Sequence, residues 1–444
     1  MDLLQDQVKT LYLRFLIPSL GSAMVLSIYT LTDAIVIGQG VGSDALAALS
    51  ITTPLLCILM ATGILFGVGG SVQMSMHRGA GNKDKANRFF TLSLAALVIV
   101  TLTLWVIYGV GMSKLLRVMG ANDTLFPYAM AYMKYIILFL PVAVFSNYLA
   151  IFVRADGDPN RAMAGVLCGG IVNIVLDIVL VFPVQMGIGG AALASATGMV
   201  VQVLVAGSHF LSAKNGLHLI KPKHVWFSVK KIMGTGIPSF FNEFANGFIV
   251  LLFNVQILKY CGESALSVYS VISNCVILFN SLFTGVGQSI QPVIATNYGA
   301  GKWERIGKVK NMAFLTIFVM GAMFSASGIL FPTGVCRVFM RMNAEMTAIA
   351  RVGVRMYFVA FLPMALNLLT SYYLQSVQRV NQSLSISLLR NVILSGAAII
   401  LFPLVFDGNS LWLVMPTVEV LVLLLSIVFL RQSNPNRYLP NKNR

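Results

Sequence analysis

The sequence predicts an all-α integral membrane protein, with about twelve transmembrane helices in two parallel-repeat six-helix lobes. Three observations predict it. Of 444 residues, 57% are hydrophobic and only 10% charged, with a mean hydropathy of +0.82, whereas a soluble domain carries about 25% charged residues. The apolar residues come in blocks long enough to cross a bilayer, which takes roughly 20 residues as a helix. Short motifs recur at a displacement of about 220 residues.

The blocks are long and continuous rather than short and alternating. Inside hydrocarbon, backbone groups must pair within the element, so these blocks read as helices and not as barrel strands. Spans are expected near 11–38, 44–76, 86–112, 124–153, 162–183, 187–212, 232–260, 264–297, 309–331, 346–377, 384–405 and 410–430. The first block follows Asp2, Asp6, Lys9 and Arg14 and has no cleavage pattern after it, so it reads as a span and not as a removable leader. Cys57, Cys168, Cys261, Cys275 and Cys336 are scattered singly, and His77, His209, His218 and His224 fall in loops or near span ends. That pattern suggests neither a disulfide framework nor a metal site.

The formal charge is +16, but its distribution argues against nucleic acid. With a cytoplasmic N-terminus, most of the 31 Lys and Arg sort to the inner loops and termini, including Arg390, Arg437, Lys442 and Arg444. The outside receives only Lys114, Arg117, Lys134, Lys259, Arg337, Arg341, Arg351 and Arg355. This bias places both termini in the cytoplasm. The basic loop 332–351 falls outside in this scheme and disobeys it; a missed or extra span would repair the sign.

Ile17-Pro18-Ser19 returns as Ile237-Pro238-Ser239, and Ala45-Leu46 as Ala265-Leu266. Gly67-Val68-Gly69 returns as Gly285-Val286-Gly287, Gly79-Ala80-Gly81 as Gly299-Ala300-Gly301, and Phe139-Leu140-Pro141 as Phe361-Leu362-Pro363. Both Gly-Ala-Gly copies enter basic loops, so the halves share an orientation and each holds an even number of spans. The expected division is an N-terminal lobe over 1–212, a cytoplasmic linker over 213–231 and a C-terminal lobe over 232–444. Parallel repeats of this kind are a transporter architecture, with the substrate between the halves.

Four acids fall inside apolar blocks: Asp33, Asp177, Glu243 and Glu419. A carboxylate at mid-bilayer costs roughly 2.5–3.5 kcal/mol on insertion scales, so such residues are functional candidates. Asn173 and Asp177, four apart, share a helix face. Asp33, one turn beyond Tyr29, lies at a compatible depth in the outer half of its span. These oxygens could coordinate a sodium ion or share protons as a coupled pair; a helix-to-helix hydrogen-bond staple is the plain alternative. Position 253 is Phe and 399 is Ile, so the second half does not repeat the pair. Glu243, with Asn242 and Asn246 nearby, is expected in the inner part of span seven, within reach of water. Glu419 is expected either to pair with Arg390, placed at the inner end of span eleven, or to serve transport. Pro18, Pro54, Pro141, Pro238 and Pro363, with the span glycines, are expected to give kinks or close helix contacts.

Taken together, these residues resemble the multidrug and toxic compound extrusion (MATE) family. The resemblance rests on Ile17-Pro18-Ser19 with Asp33, on Arg78-Gly79-Ala80-Gly81, and on Gly157-Asp158-Pro159-Asn160-Arg161-Ala162. It continues through Asn173 with Asp177, Gly189 through Ala194, Leu388-Leu389-Arg390-Asn391, and Trp412 through Glu419. Glu243 and the short termini resemble its branch of MepA-type bacterial pumps. The resemblance implies two six-helix lobes forming a V, and export of lipophilic organic cations in exchange for Na+ or H+. It further implies an N-lobe cation site of Asp33, Asn173 and Asp177, with Asn147 and Ser195 as additions. Glu243, Asn246, Tyr29 and Glu419 would serve substrate binding or coupling. Some relatives carry an acid where Asn246 stands; here the acid is Glu243, about one turn away. No cofactor, a monomeric state and a bacterial cytoplasmic membrane in contact with its lipid are the remaining expectations. A flippase for lipid-linked precursors is the competing reading; it would need a cationic cavity, whereas the in-span charges are mostly acidic. An enzyme is not expected, because no nucleophile–base or metal-ligand set falls among the spans. A channel fits poorly with halves so unequal in polar content.

Overall fold

Because a bilayer offers the backbone no partners, each apolar run closes its own hydrogen bonds as a helix. The computed structural model describes residues 2–433, and every long element in it is α-helical. The first six spans are Val8–Gly40, Ser43–Gly79, Lys83–Val118, the bent pair Phe126–Leu138 with Leu140–Ala155, Pro159–Val181 and Gly187–Gly207. Val225–Gly299 is a helical run of 75 residues broken at Gly262, where φ is 83°; its two parts, 225–261 and 263–299, are the seventh and eighth spans. Trp303–Leu330, Ala344–Ser376, Val380–Val405 and Gly408–Gln432 complete the series. Ten elements are each long and apolar enough to cross a membrane, and the bent pair makes eleven. The break at Gly262 divides one of them, so the described residues form twelve spans, as the sequence predicts.

The repeated motifs fold alike in the two halves. Gly81 and Gly301, the second glycines of the Gly-Ala-Gly copies, adopt φ of 79° and 67°. A residue in that region ends a helix at little cost only if it lacks a Cβ. The next helix restarts at once, with Asn82 Oδ1 accepting from the Lys85 backbone N–H at 2.9 Å. Span four bends by 61° between Leu138 and Leu140, just before Pro141. Span ten breaks between Phe358 and Phe361, just before Pro363. Proline removes a helical donor and crowds the preceding turn, so both copies interrupt the helix at the same place.

Three expectations about depth need correction. Span seven begins at Val225, not near 232, so Glu243 sits mid-helix and half-buried instead of in the inner part. Span eleven begins at Val380, so Arg390 lies well inside it on a π-helical turn, Leu389–Ile393, and not at the inner end. It therefore does not belong among the inner-loop charges. The basic segment 332–351 holds a helix of only eight residues, Pro332–Phe339, before span ten starts at Ala344. At 1.5 Å per residue it is about 12 Å long and cannot cross. Arg437, Lys442 and Arg444 lie outside the described residues.

By packing, the chain forms two compact units, one comprising residues 2–6 with Leu13–Phe244 and the other Gln7–Tyr12 with Ala245 onward. The N-terminal half of span seven thus packs in the first unit. The second unit includes the N-terminal end of span one, where the Tyr12 hydroxyl donates to Thr316 Oγ1 at 3.0 Å.

Candidate functional site

Small residues bring spans one, five and six of the first unit together. Gly169 and Gly198 face each other so closely that a Cβ on either would lie 2.6 Å from the other's carbonyl oxygen. Glycines at a crossing let backbones approach without a hydrophobic driving force, as packing within lipid requires. One turn further, Asn173 Nδ2 donates to Ser195 Oγ at 3.0 Å. On the other side of span five, a Cβ at Gly170 would sit 2.8 Å from Val25 and 3.5 Å from the Tyr29 ring. Nearer the outer end, Gly40 meets Val181 and Phe182. Spans one and five therefore run parallel, and Asp33, between Tyr29 and Gly40, comes level with Asp177.

The two carboxyl groups are neighbours, each within electrostatic range of the other. Asp177 is fully buried, Asn173 is 2% exposed, and Asp33 and Ser195 are each 8% exposed. Asp33 Oδ1, Asn173 Oδ1 and both oxygens of Asp177 have no hydrogen-bond donor. Buried acceptors are normally satisfied, and leaving one unpaired costs about 1–3 kcal/mol, more for a charged group. Four orphaned oxygens grouped this way form a ligand set for a positive species, either a hard cation held by oxygens or one or two protons. Tyr132, on span four, is 3% exposed; it neighbours Ser195 and lies in electrostatic range of both aspartates and Tyr29. The sequence reading missed it. The only available signal was a tyrosine at matching depth in an apolar span.

The other candidates are placed differently. Tyr29 lies in electrostatic range of both Asp33 and Glu243, so Glu243 faces the same part of the first unit as the aspartates. Around it, the Phe240 ring packs on Phe241 and Phe244 with centroids 5.8 and 5.9 Å away. The side chain of Asn246 lies outside the described residues. Asn147 is engaged elsewhere, with Nδ2 2.9 Å from Met60 Sδ on span two. Glu419 is fully buried in the second unit, where Oε1 accepts from Arg390 Nε at 2.6 Å and Oε2 from Asn367 Nδ2 at 2.9 Å.

A second polar cluster, where spans four and six end and span five begins, was not read from the sequence. His209 is at a span end as expected, yet it is fully buried. Its Nε2 lies 2.6 Å from Asp156 Oδ2 and its Nδ1 3.4 Å from Asp158 Oδ2. Arg78 donates to Asp156 Oδ1, and the Gly216 backbone N–H donates to Asp156 Oδ2 at 2.8 Å. Burial alone would raise the Asp156 carboxyl, but the His209 hydrogen bond, the Arg78 charge and the Gly216 N–H outweigh it and hold it below the ordinary carboxylate range. The motif Gly157-Asp158-Pro159 thus ties the loop between spans four and five to the end of span six and to the start of the 213–231 stretch.

Comparison with known proteins agrees with this architecture. The family model described as MatE matches residues 18–179 and 238–398, well over half of the chain and once in each repeat. The chain is similar to the multidrug export protein MepA of Staphylococcus saprophyticus subsp. saprophyticus, with 26% identity over 327 residues, 72% of this chain and 71% of that protein. It is similarly related to MepA of Staphylococcus aureus (strain NCTC 8325 / PS 47), with 27% identity over 316 residues, 70% and 68% of the two chains. Among solved structures, a multidrug resistance MATE family transporter of the MOP superfamily in an outward-facing conformation superposes with a TM-score of 0.87 at 22% identity. A MOP superfamily transporter from Pyrococcus furiosus, described as having a binding pocket of reversed polarity that suggests a different function, gives 0.89 at 22% identity. Each likeness covers 98% of both chains and, at that identity, speaks to the fold alone. On the family match, the chain belongs to the MatE family.

Proposed function

We propose that this protein is a secondary antiporter that exports lipophilic organic cations, a multidrug efflux carrier, in exchange for Na+ or H+. The observation that carries the reading is the group of orphaned oxygens on Asp33, Asn173 and Asp177. Two carboxylates held in a low-dielectric interior stay ionised only beside a positive charge. Occupation by the coupling ion and its release therefore change the local charge, and a carrier can link that change to which face is open. Ser195 and Tyr132 position Asn173 and the pair. Glu243, half-buried among phenylalanines and near Tyr29, supplies an anionic, aromatic surface suited to a lipophilic cation. The repeat halves, 1–212 and 232–444 by sequence and joined by 213–231, supply the bodies that move, with residues up to Phe244 packed in the first. The names of the MepA relatives support multidrug export, and the positive-inside pattern supports a bacterial cytoplasmic membrane with both termini inside. A monomer without bound cofactor suffices for this cycle.

The flippase reading is weaker, because Arg390, an arginine buried well inside its span, is neutralised by Glu419. The test is transport in proteoliposomes with imposed Na+ or proton gradients and a fluorescent lipophilic cation. One gradient should drive uptake in the wild type and in neither Asp33→Asn nor Asp177→Asn. Wild-type transport by both variants would refute the assignment.

A further inference from the structure

We infer that residues 221–231, at the start of span seven, form a binding surface for the headgroups of anionic phospholipids in the inner leaflet. The preceding stretch is strapped to the protein. The Arg78 guanidinium donates to the Gly216 carbonyl at 3.2 Å, the His218 backbone N–H to Asn87 Oδ1 at 3.3 Å, and the Ile220 N–H to Thr91 Oγ1 at 3.1 Å. Leu217 is buried beneath the strap. Beyond Ile220 the chain leaves the protein surface, and every residue from 221 to 227 is exposed.

The exposed residues are of two kinds. Trp226 is 82% and Phe227 60% exposed. Lys221, Lys223, Lys230 and Lys231 surround them, and Lys231 Nζ stands 4.7 Å from the Phe227 ring centre. No acidic residue occurs between Asp177 and Glu243, so nothing in this stretch of chain neutralises the lysines. Helix 225–261 is about 55 Å long at 1.5 Å per residue, against roughly 40–45 Å for a bilayer including its headgroups. Its first turns therefore stand at headgroup level. Aromatic rings settle at that depth, and clustered lysines beside a span attract anionic lipid. The occupant that satisfies both kinds of side chain at once is a lipid with a negative headgroup. The strap would then couple that lipid to the loops held by Asp156.

The test uses the full chain in bilayers of phosphatidylcholine mixed with phosphatidylglycerol, with bromine on the acyl chains of one lipid or the other. Trp226 fluorescence is read as the difference between wild type and Trp226→Phe. Brominated phosphatidylglycerol should quench Trp226 about twofold or more above brominated phosphatidylcholine at equal fraction, and 1 M salt should remove the preference. The combined variant Lys221→Gln, Lys223→Gln, Lys230→Gln, Lys231→Gln should also lose it while keeping the wild-type unfolding temperature. Equal quenching by the two lipids, no quenching, or a preference that survives salt would each overturn the proposal. So would abolition of the preference by free glycerol 3-phosphate at the same concentration, which would mark a site for soluble anions. If the lysine variant fails to fold, the salt arm on the wild type still decides.

Discussion

Arg390 and Glu419 form a buried ion pair with Nε to Oε1 at 2.6 Å, joining the interiors of spans eleven and twelve. Asn367 from span ten completes the carboxylate, and its own Oδ1 accepts from Ser426 Oγ at 2.8 Å. The Arg390 carbonyl accepts from the Ser395 hydroxyl, just past the π-turn, which the Leu394 backbone N–H closes on the Leu389 carbonyl. Removing one partner of such a pair leaves an uncompensated charge and costs about 3–5 kcal/mol, whereas replacing both by apolar residues of similar volume is often neutral. Glu419→Ala should therefore unfold at markedly lower temperature in detergent, and Arg390→Met with Glu419→Leu should recover most of the loss. Export by the double variant then assigns the pair. Retained export leaves it as a structural bolt, as its complete set of partners argues. Lost export in a stable protein would return Glu419 to the transport path.

At the aspartate site the neighbours are predicted to tune affinity without abolishing turnover. Ser195 holds Asn173 at 3.0 Å, which leaves Asn173 Oδ1 without a donor of its own. A neutral hydrogen bond contributes about 1 kcal/mol, or roughly fivefold in a binding constant. Ser195→Ala should raise the half-saturating concentration of the driving ion by about that factor while maximal transport changes little. The measurement is initial uptake against ion concentration in proteoliposomes. A loss as complete as in Asp33→Asn would place the serine among the ligands themselves.

Much of this was legible in the chain because it is local. The Gly-Ala-Gly copies end helices through one left-handed residue, and each Phe-Leu-Pro copy breaks its span before the proline. The i, i+4 spacing of Asn173 and Asp177 needs only helical geometry. Depth was harder to read. Polar helix starts such as Asn381-Gln382 and Lys230-Lys231 look like loop, so Arg390 and Glu243 were placed too near the inner surface. Contacts gathered from distant segments were not legible at all. Asp156 and His209 read as ordinary loop residues until Arg78 and Gly216, from two other parts of the chain, close over them. Nothing local to Asn147 announces its contact with Met60 either.

The cluster around Asp156 predicts a particular pH dependence of stability. The Asp156 carboxyl is held below its ordinary 3.8, so the native state favours the ionised form. For a depressed carboxylate the stabilisation is present in full above the unfolded value and fades as pH falls through the folded one. Asp156→Asn should therefore lower the unfolding temperature throughout neutral pH, by an amount reflecting about 3 kcal/mol for breaking a buried pair. The gap from wild type should close only in strong acid. Thermal unfolding in detergent from pH 8 to pH 3 checks this. A gap that vanishes already near pH 6 would mean that Asp156 is not the group responsible.

The close backbone approach between the C-terminal half of span two and the N-terminal half of span seven offers a sharper test. A Cβ at Gly236 would lie 2.0 Å from the Leu65 carbonyl oxygen, and one at Gly69 would lie 2.1 Å from that of Ile232. Gln73 Nε2 seals the crossing by donating to Thr235 Oγ1 at 2.8 Å. The neighbours here are backbone, which cannot swing aside, so a methyl group must push the helices apart. Overpacking of this kind costs about 1–3 kcal/mol. Gly236→Ala should lower the unfolding temperature and slow export. Gly234→Ala, with nothing within 4 Å of its Cβ, should be neutral or gain up to about 1 kcal/mol of helix propensity. In a cysteine-free background, Gln73→Cys should resist a membrane-impermeant thiol reagent applied from the inside, as a position now 1% exposed should. Adding Gly236→Ala should open it to labelling. If Gly234→Ala is as damaging as Gly236→Ala, or labelling of residue 73 is unchanged, the crossing does not hold these helices together.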